Sequence, residues 1–234
     1  MKAQKDSLQV TYDDYVESYR VLCNDINQRN GHTNISDFIL PMHQEVSSIV
    51  NSVTGGWNDT SDFGEFWTDV KALYMWVRSN IDYRSDGLAP IMPYDPEYGV
   101  TYKTEMWQFP TETLELQEGD CEDQAILLCS MIRCYSENRL NTDCIWITGS
   151  ESAHAGVQVP VSDHKLVILD PAGNYYSNDF LGNIVFNDIS LEINNWLDYW
   201  TPSIGSDVQV YRVFFDIRDE IFASTNEYIN WMYS

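Results

Sequence analysis

Positive charge is scarce in this chain of 234 residues: 13 lysines and arginines stand against 36 aspartates and glutamates, a formal net charge of −23. A surface that acidic repels phosphates, so nucleic acid and anionic membrane surfaces are poor partners; a high-salt setting, a bound cation or a cationic substrate fits better. Also missing is any apolar run approaching the roughly 18 residues that a spanning helix needs. The opening residues, Met1-Lys2-Ala3-Gln4-Lys5-Asp6, hold no apolar segment of the signal-peptide kind. The expectation is a soluble protein, cytoplasmic or exported after loss of a signal segment. The 5 cysteines fall at no paired spacing, which argues against a disulfide framework and a cysteine-rich zinc site. Internal repeats and low-complexity tracts are absent as well. Core-forming residues are not short: 44% of the chain is hydrophobic and 14% aromatic, ample for one ordinary domain with an extension.

The most informative stretch is Gly119-Asp120-Cys121-Glu122-Asp123, which runs straight into Gln124-Ala125-Ile126-Leu127-Leu128-Cys129. Ala125, Leu128, Ile132 and Tyr135 recur at helical spacing, so a loop becomes a helix here. Gly119 gives the entry turn its freedom and Asp120 is a good N-cap. Cys121 therefore sits in the first turn, where unpaired amides and the helix dipole favour a thiolate. The other cysteines look like small buried hydrophobes. Cys129 and Cys134 lie within the same helix, Cys144 begins an apolar strand, and Cys23 falls in an early helical pattern.

Downstream, Ala155, Val157, Val159 and Val161 alternate with His154, Gly156 and Gln158, a period-2 strand with His154 on its less apolar face. Lys165-Leu166-Val167-Ile168-Leu169-Asp170-Pro171 is a second strand ending in a carboxylate, and the short gap between the two predicts an antiparallel hairpin. Register decides whether His154 and Asp170 meet. A two-residue loop at Ser162-Asp163 puts them on opposite faces; a three-residue loop over 161–163 sets them directly opposite, about 5 Å apart at Cβ. Only an odd-length loop brings them together. His164 falls at the hairpin tip, and His32 and His43 have no motif around them.

Taken in order, Cys121 in Gly-Asp-Cys-Glu-Asp, His154 in Ala-His-Ala-x-Val-x-Val and Asp170 in Leu-Asp-Pro resemble the transglutaminase-like superfamily of papain-type thiol enzymes, in its archaeal and bacterial cysteine-protease branch. The segment Ala72–Tyr83, with its Asn80-Ile81-Asp82-Tyr83 turn, is similar to the helix and turn preceding that family's core. So is Trp107-Gln108-Phe109-Pro110, followed by Glu112-Thr113-Leu114. The likeness covers about residues 66–185. It implies an α+β, papain-like fold in which a nucleophile helix packs on an antiparallel sheet. It also implies a thiol hydrolase, a cysteine protease cleaving peptide or amide bonds through an acyl-enzyme. The alternatives are a protein-glutamine acyltransferase and a catalytically silent peptide-binding module. Many relatives carry an aromatic two residues after the histidine; Gly156 in its place leaves space beside His154.

In that chemistry the Cys121 thiolate attacks a carbonyl carbon, His154 accepts and then donates the proton, and Asp170 orients the ring. An ion pair with His154 and the helix N-terminus would hold the thiol well below its free value of about 8.5. The Cys121 amide is one oxyanion donor, and Trp107 and Gln108 are side-chain candidates by analogy with relatives. No cofactor is required. The adhesin-releasing branch has a similar Asp-Cys-Glu-Asp motif at a calcium site, which makes Asp120, Glu122 and Asp123 candidate calcium ligands. Ca²⁺ takes six to eight oxygens, so carbonyls, water or a remote acid such as Asp95 or Glu97 must join. The competing roles are a cap for Asp120 and dipole-favoured acids for Glu122 and Asp123.

For organisation, residues 8–54 carry two helical stripes: Tyr15, Tyr19, Leu22 and Ile26, then Phe38, Met42, Val46, Ile49, Val50 and Val53. A polar loop over 55–62 follows, then a helix over 64–80. That divides the chain into an N-terminal helical extension, 1–62, and the thiol-enzyme domain, 63–234. Residues 84–118 form a long Pro- and Tyr-rich excursion, 208–214 a strand and about 218–232 a final helix.

Overall fold

The computed structural model describes residues 2–95, 97–215 and 217–234. In chain order it runs α1 (Lys2–Asn30), α2 (Gln44–Thr54), α3 (Phe63–Asn80), β1 (Asp82–Tyr83), β2 (Ala89–Ile91), β3 (Thr101–Lys103), α4 (Pro110–Leu116) and β4 (Glu118–Gly119). It continues with α5 (Cys121–Tyr135), β5 (Asp143–Thr148), β6 (Ala153–Val161), β7 (Lys165–Asp170), β8 (Tyr175–Tyr176), β9 (Asn187–Asp188), α6 (Ile189–Ile204), β10 (Gln209–Phe215), β11 (Arg218–Ile221) and α7 (Thr225–Met232). Packing divides it into two units, Met1–Asn34 with Asp86–Met106, and Ile35–Ser85 with Trp107–Ser234. This is not the 1–62 and 63–234 division. Val46 and Val50 of α2 are buried in the core built around α5, so α2 goes with the larger unit.

In the smaller unit α1 lies against the β2–β3 hairpin. Its contact face carries Tyr19, Cys23, Asn27 and Asn30, while Tyr15 and Leu22 of the expected stripe are exposed. The reason is polar. Pro90 and Pro93 donate no amide, and their carbonyls and that of Met92 need donors. Asn30 Nδ2 serves Pro90, the Tyr19 hydroxyl serves Pro93, and the Asn27 amide bonds both the Met92 carbonyl and the Met92 N–H at 2.7 Å.

In the larger unit the sheet order is β11-β10-β5-β6-β7-β8, with β9 also on β7, and every pairing in it is antiparallel. Both faces are covered, which is why its central strands are nearly continuous apolar runs. Cys144, Ala155, Val157, Val159, Val167 and Leu169 face the core shared with α2, α3 and α5. The alternate residues Ile145, Ile147, Leu166 and Ile168 face a second core under α6 and α7. The α+β arrangement expected from the sequence, a helix beginning at Cys121 on an antiparallel sheet, is the one found.

Two elements differ from expectation. Met42 is exposed, because α2 begins only after His43, whose Nδ1 accepts from the Glu45 amide and caps it. Over 218–232 the first four residues are strand: Arg218–Ile221 pairs with β10, and the helix starts after the Ser224 cap. The apolar pair Ile221-Phe222 fits either period, and pairing with a neighbouring strand decides it.

Along α5 every residue but Cys134 is buried, so the stripe Ala125, Leu128, Ile132 and Tyr135 is only one of its core faces. With no solvent side toward which to relax, Leu128→Ala should cost about 2–5 kcal/mol of unfolding free energy, read as a lower urea midpoint at unchanged slope.

Candidate active site

The turn before α5 is built by a short parallel pairing, Asp82 with Glu118 and Tyr83 with Gly119, which delivers the chain to the Asp120 cap. A Cβ on Gly119 would lie 2.7 Å from the Asp123 Cβ, so only glycine lets Asp123 fold back over the turn. Asp123 Oδ2 accepts from the Asp120 amide at 3.3 Å, and its Oδ1 accepts from the Gln108 amide at 2.7 Å. Both carboxylate oxygens are thus bound to backbone. Asp123 is a bracket that ties residue 108 to the first turn of α5.

Cys121 is the first residue of α5 and is 8% exposed. Its Sγ lies 3.1 Å from Glu122 Oε2 and accepts a hydrogen bond from the Ala155 amide, one residue beyond His154. A depressed thiol was expected from the helix start. The structure places the thiol in the opposite environment: burial first, then the Glu122 and Asp120 carboxyls and the hydrogen bond to Glu122, push it up, against the Ala155 amide. Glu122 is itself pushed up to about 11 by burial and by the Asp120 carboxyl hydrogen-bonded to it. The side chains of Asp120, Cys121 and Glu122 bring ligand-type atoms within 4.8 Å of one another, all buried; Asp123 is not among them. Asp95 belongs to the other unit, and its Oδ1 accepts from the Glu97 amide.

The hairpin loop is three residues, as the odd-length requirement demands, but it is Ser162-Asp163-His164, with Val161 paired to Lys165. Asp163 and His164 both take positive φ, 60° and 57°. The ladder therefore shifts by two residues from the expected register and sets Gly156 opposite Asp170, with His154 on the diagonal. A diagonal partner on the same face is still in reach of a long side chain. His154 Nε2 lies 2.9 Å from Asp170 Oδ2, with His154 4% exposed and Asp170 fully buried.

Space beside His154 was expected at Gly156; it is filled. A Cβ there would stand 3.0 Å from Trp196 Cζ2. Trp196 Nε1 donates to Asp170 Oδ2 at 3.0 Å and Trp200 Nε1 donates to the same oxygen at 2.8 Å, while the Gly173 amide donates to Oδ1 at 2.7 Å. The Trp200 ring stacks on the imidazole with centroids 3.6 Å apart. Both tryptophans come from α6, which the sequence reading passed over. Its signal was present: Ile189, Ile193, Trp196, Leu197, Trp200 and Ile204 recur at helical spacing behind Asp188, a proper cap.

Of the oxyanion candidates, Trp107 packs edge-on to Phe38 and to Trp146, at 5.8 and 5.7 Å between centroids, a core aromatic. Gln108 has its main chain fixed by Asp123, and its Oε1 is buried with no hydrogen-bond partner among the described residues. His164 meets the Tyr233 ring at a tilt at the hairpin tip, with centroids 5.1 Å apart.

No curated protein matches the chain. Among solved structures, a Cytophaga hutchinsonii protein provisionally assigned as a cysteine protease is 15% identical over 60% of this chain and 43% of its own length, with a TM-score of 0.38. This chain thus spans less than half of that protein. Legionella pneumophila LapG, EGTA-treated, is 14% identical over 89% of this chain and 86% of its own, with a TM-score of 0.45. The calcium-bound form of LapG is 15% identical over 75% and 87%, with a TM-score of 0.38. The model of the transglutaminase-like superfamily matches residues 48–171, more than half of the chain, a span that takes in Cys121, His154 and Asp170. This chain belongs to the transglutaminase-like superfamily.

Proposed function

We propose that the protein is a thiol hydrolase that cleaves peptide or amide bonds, with Cys121 as nucleophile, His154 as general base and acid, and Asp170 as the group that holds the imidazole. The observation that carries this reading is the buried His154–Asp170 contact at 2.9 Å on the strand whose next amide, that of Ala155, meets the Cys121 sulfur. Because its surroundings push the thiol up, Cys121 enters the reaction protonated. His154 takes the proton as sulfur bonds to the carbonyl carbon, and returns it to the departing amine. Water then attacks the thioester, giving a proton to His154 and releasing the acid, and the thiol is restored. The Cys121 amide and the Gln108 side chain are the proposed donors to the oxyanion.

Two measurements test this. Cys121 is expected to react with iodoacetamide at neutral pH faster than Cys23 or Cys144, both fully buried; equal rates would remove the enzyme reading. Incubation with a peptide library, with and without an added amine, should give new termini in mass spectra. Amine adducts in their place would make the protein an acyltransferase, and neither product a binding module.

Calcium is proposed at Asp120 and Glu122, whose hard oxygens face one another beside the thiol. They fill only part of a Ca²⁺ shell, so other oxygens must complete it. A cation there would supply positive charge that offsets the two carboxyls next to Cys121. Because burial and the Asp120 carboxyl push the Glu122 carboxyl up, binding there should be accompanied by proton release. Calorimetric titration in two buffers of different ionisation heat reads this; no binding at millimolar Ca²⁺ leaves Asp120 and Glu122 as first-turn acids.

A further inference from the structure

Three nitrogens lie within hydrogen-bond distance of Asp170 Oδ2: His154 Nε2 at 2.9 Å, Trp196 Nε1 at 3.0 Å and Trp200 Nε1 at 2.8 Å. An indole N–H donates and cannot accept, so toward both tryptophans this oxygen is an acceptor, and a proton placed on it would point at a donor. The consistent arrangement has His154 Nε2 as the third donor. We infer that Trp196 and Trp200 are positioning residues: by donating together to Asp170 Oδ2 they hold His154 as the Nε2–H tautomer and leave Nδ1 as its proton-accepting nitrogen.

The surroundings are built for this. Glu192, Trp196 and Trp200 are spaced i, i+4 and i+8 on one face of α6. Glu192 anchors that face to the sheet: its carboxylate accepts from the Tyr175 hydroxyl at 2.8 Å, the Ser177 hydroxyl at 2.7 Å and the Asn187 amide at 2.6 Å. Two glycines admit the two indoles. Gly156 lies against Trp196, and a Cβ on Gly173 would be 2.4 Å from Trp200 Cζ2. Trp200 also sets the imidazole plane by stacking on it. Core packing alone would fill the space with rings; it would not aim both N–H groups at one oxygen.

The kinetic consequence rests on the thiol-hydrolase reading, while the tautomer does not. The test uses Trp196→Phe, Trp200→Phe and the double variant, which keep a ring and lose the donor. Nitrogen-15 histidine spectra should show His154 as the pure Nε2–H form in the native protein and as a mixture of tautomers in the double variant. Alkylation of Cys121 by iodoacetamide should slow about tenfold for each indole lost, and peptide cleavage should lose kcat with KM little changed. Gly156→Ala gives a second route, since it removes no donor but presses on Trp196. It should slow alkylation in the native background and add nothing in Trp196→Phe. A double variant that keeps the pure tautomer and native alkylation, or a Gly156→Ala effect of equal size in both backgrounds, overturns the inference. A native protein that cleaves no peptide yet shows the tautomer change upholds it and removes only the hydrolase reading.

Discussion

Cys121→Ala is expected to abolish turnover without unfolding the protein. Removal of the nucleophile from a triad costs on the order of 10⁶ in kcat, leaving only what binding and oxyanion donors supply. Stability should hardly move. Alanine is the better helix former at the first turn, the lost side chain is one sulfur atom, and Glu122 and Asp120 already make the site a poor one for a thiolate. Peptide cleavage and the urea midpoint, taken together, check this. A residual rate within tenfold of the native protein would mean that another group carries the chemistry.

Asp170→Asn should be damaging on both axes, and more so than its near-isosteric size suggests. Asparagine offers one acceptor and one donor end where the aspartate has two acceptors. If its NH₂ takes the place of Oδ2 it meets three donors; if turned over, it meets the Gly173 amide. Either way donor faces donor in a fully buried position. The cost should be roughly 1–3 kcal/mol for each buried donor left without its acceptor. The rate should fall roughly 10⁴-fold because the imidazole loses its tautomer and orientation. Unfolding in urea and cleavage of a peptide read the two effects separately. A variant within tenfold of native kcat and at native stability would leave Asp170 as an ordinary strand end.

Much of the site was legible because it rests on local periods. The apolar spacing after Cys121 is enough to place a helix start there, and strand parity is enough to put His154 and Asp170 on one face. What was not legible is tertiary. The register differed by two residues because parity alone does not say which three residues make the turn, and Asp163 and His164 both adopt positive φ. The elevated thiol follows from burial and from the direction in which Glu122 and Asp120 fold, neither of which is written in their order along the chain. Trp196 and Trp200 carried a visible helical pattern, but nothing in that pattern says that two indole nitrogens converge on a carboxylate 26 and 30 residues away. The empty space read at Gly156 is a case in point: the missing aromatic arrives from α6.

The sheet with two covered faces has a mechanical consequence. The thiol rides on the helix packed against one face, while the imidazole and its carboxylate belong to the other, under α6. Sheet strands are therefore the common frame against which two separate cores align two halves of one reaction. Whichever core loosens first sets the temperature at which alignment is lost. α6, with Pro202 in its last turn and the smaller of the two cores beneath it, is expected to loosen first. On warming, activity should fade while the sheet and α5 still stand.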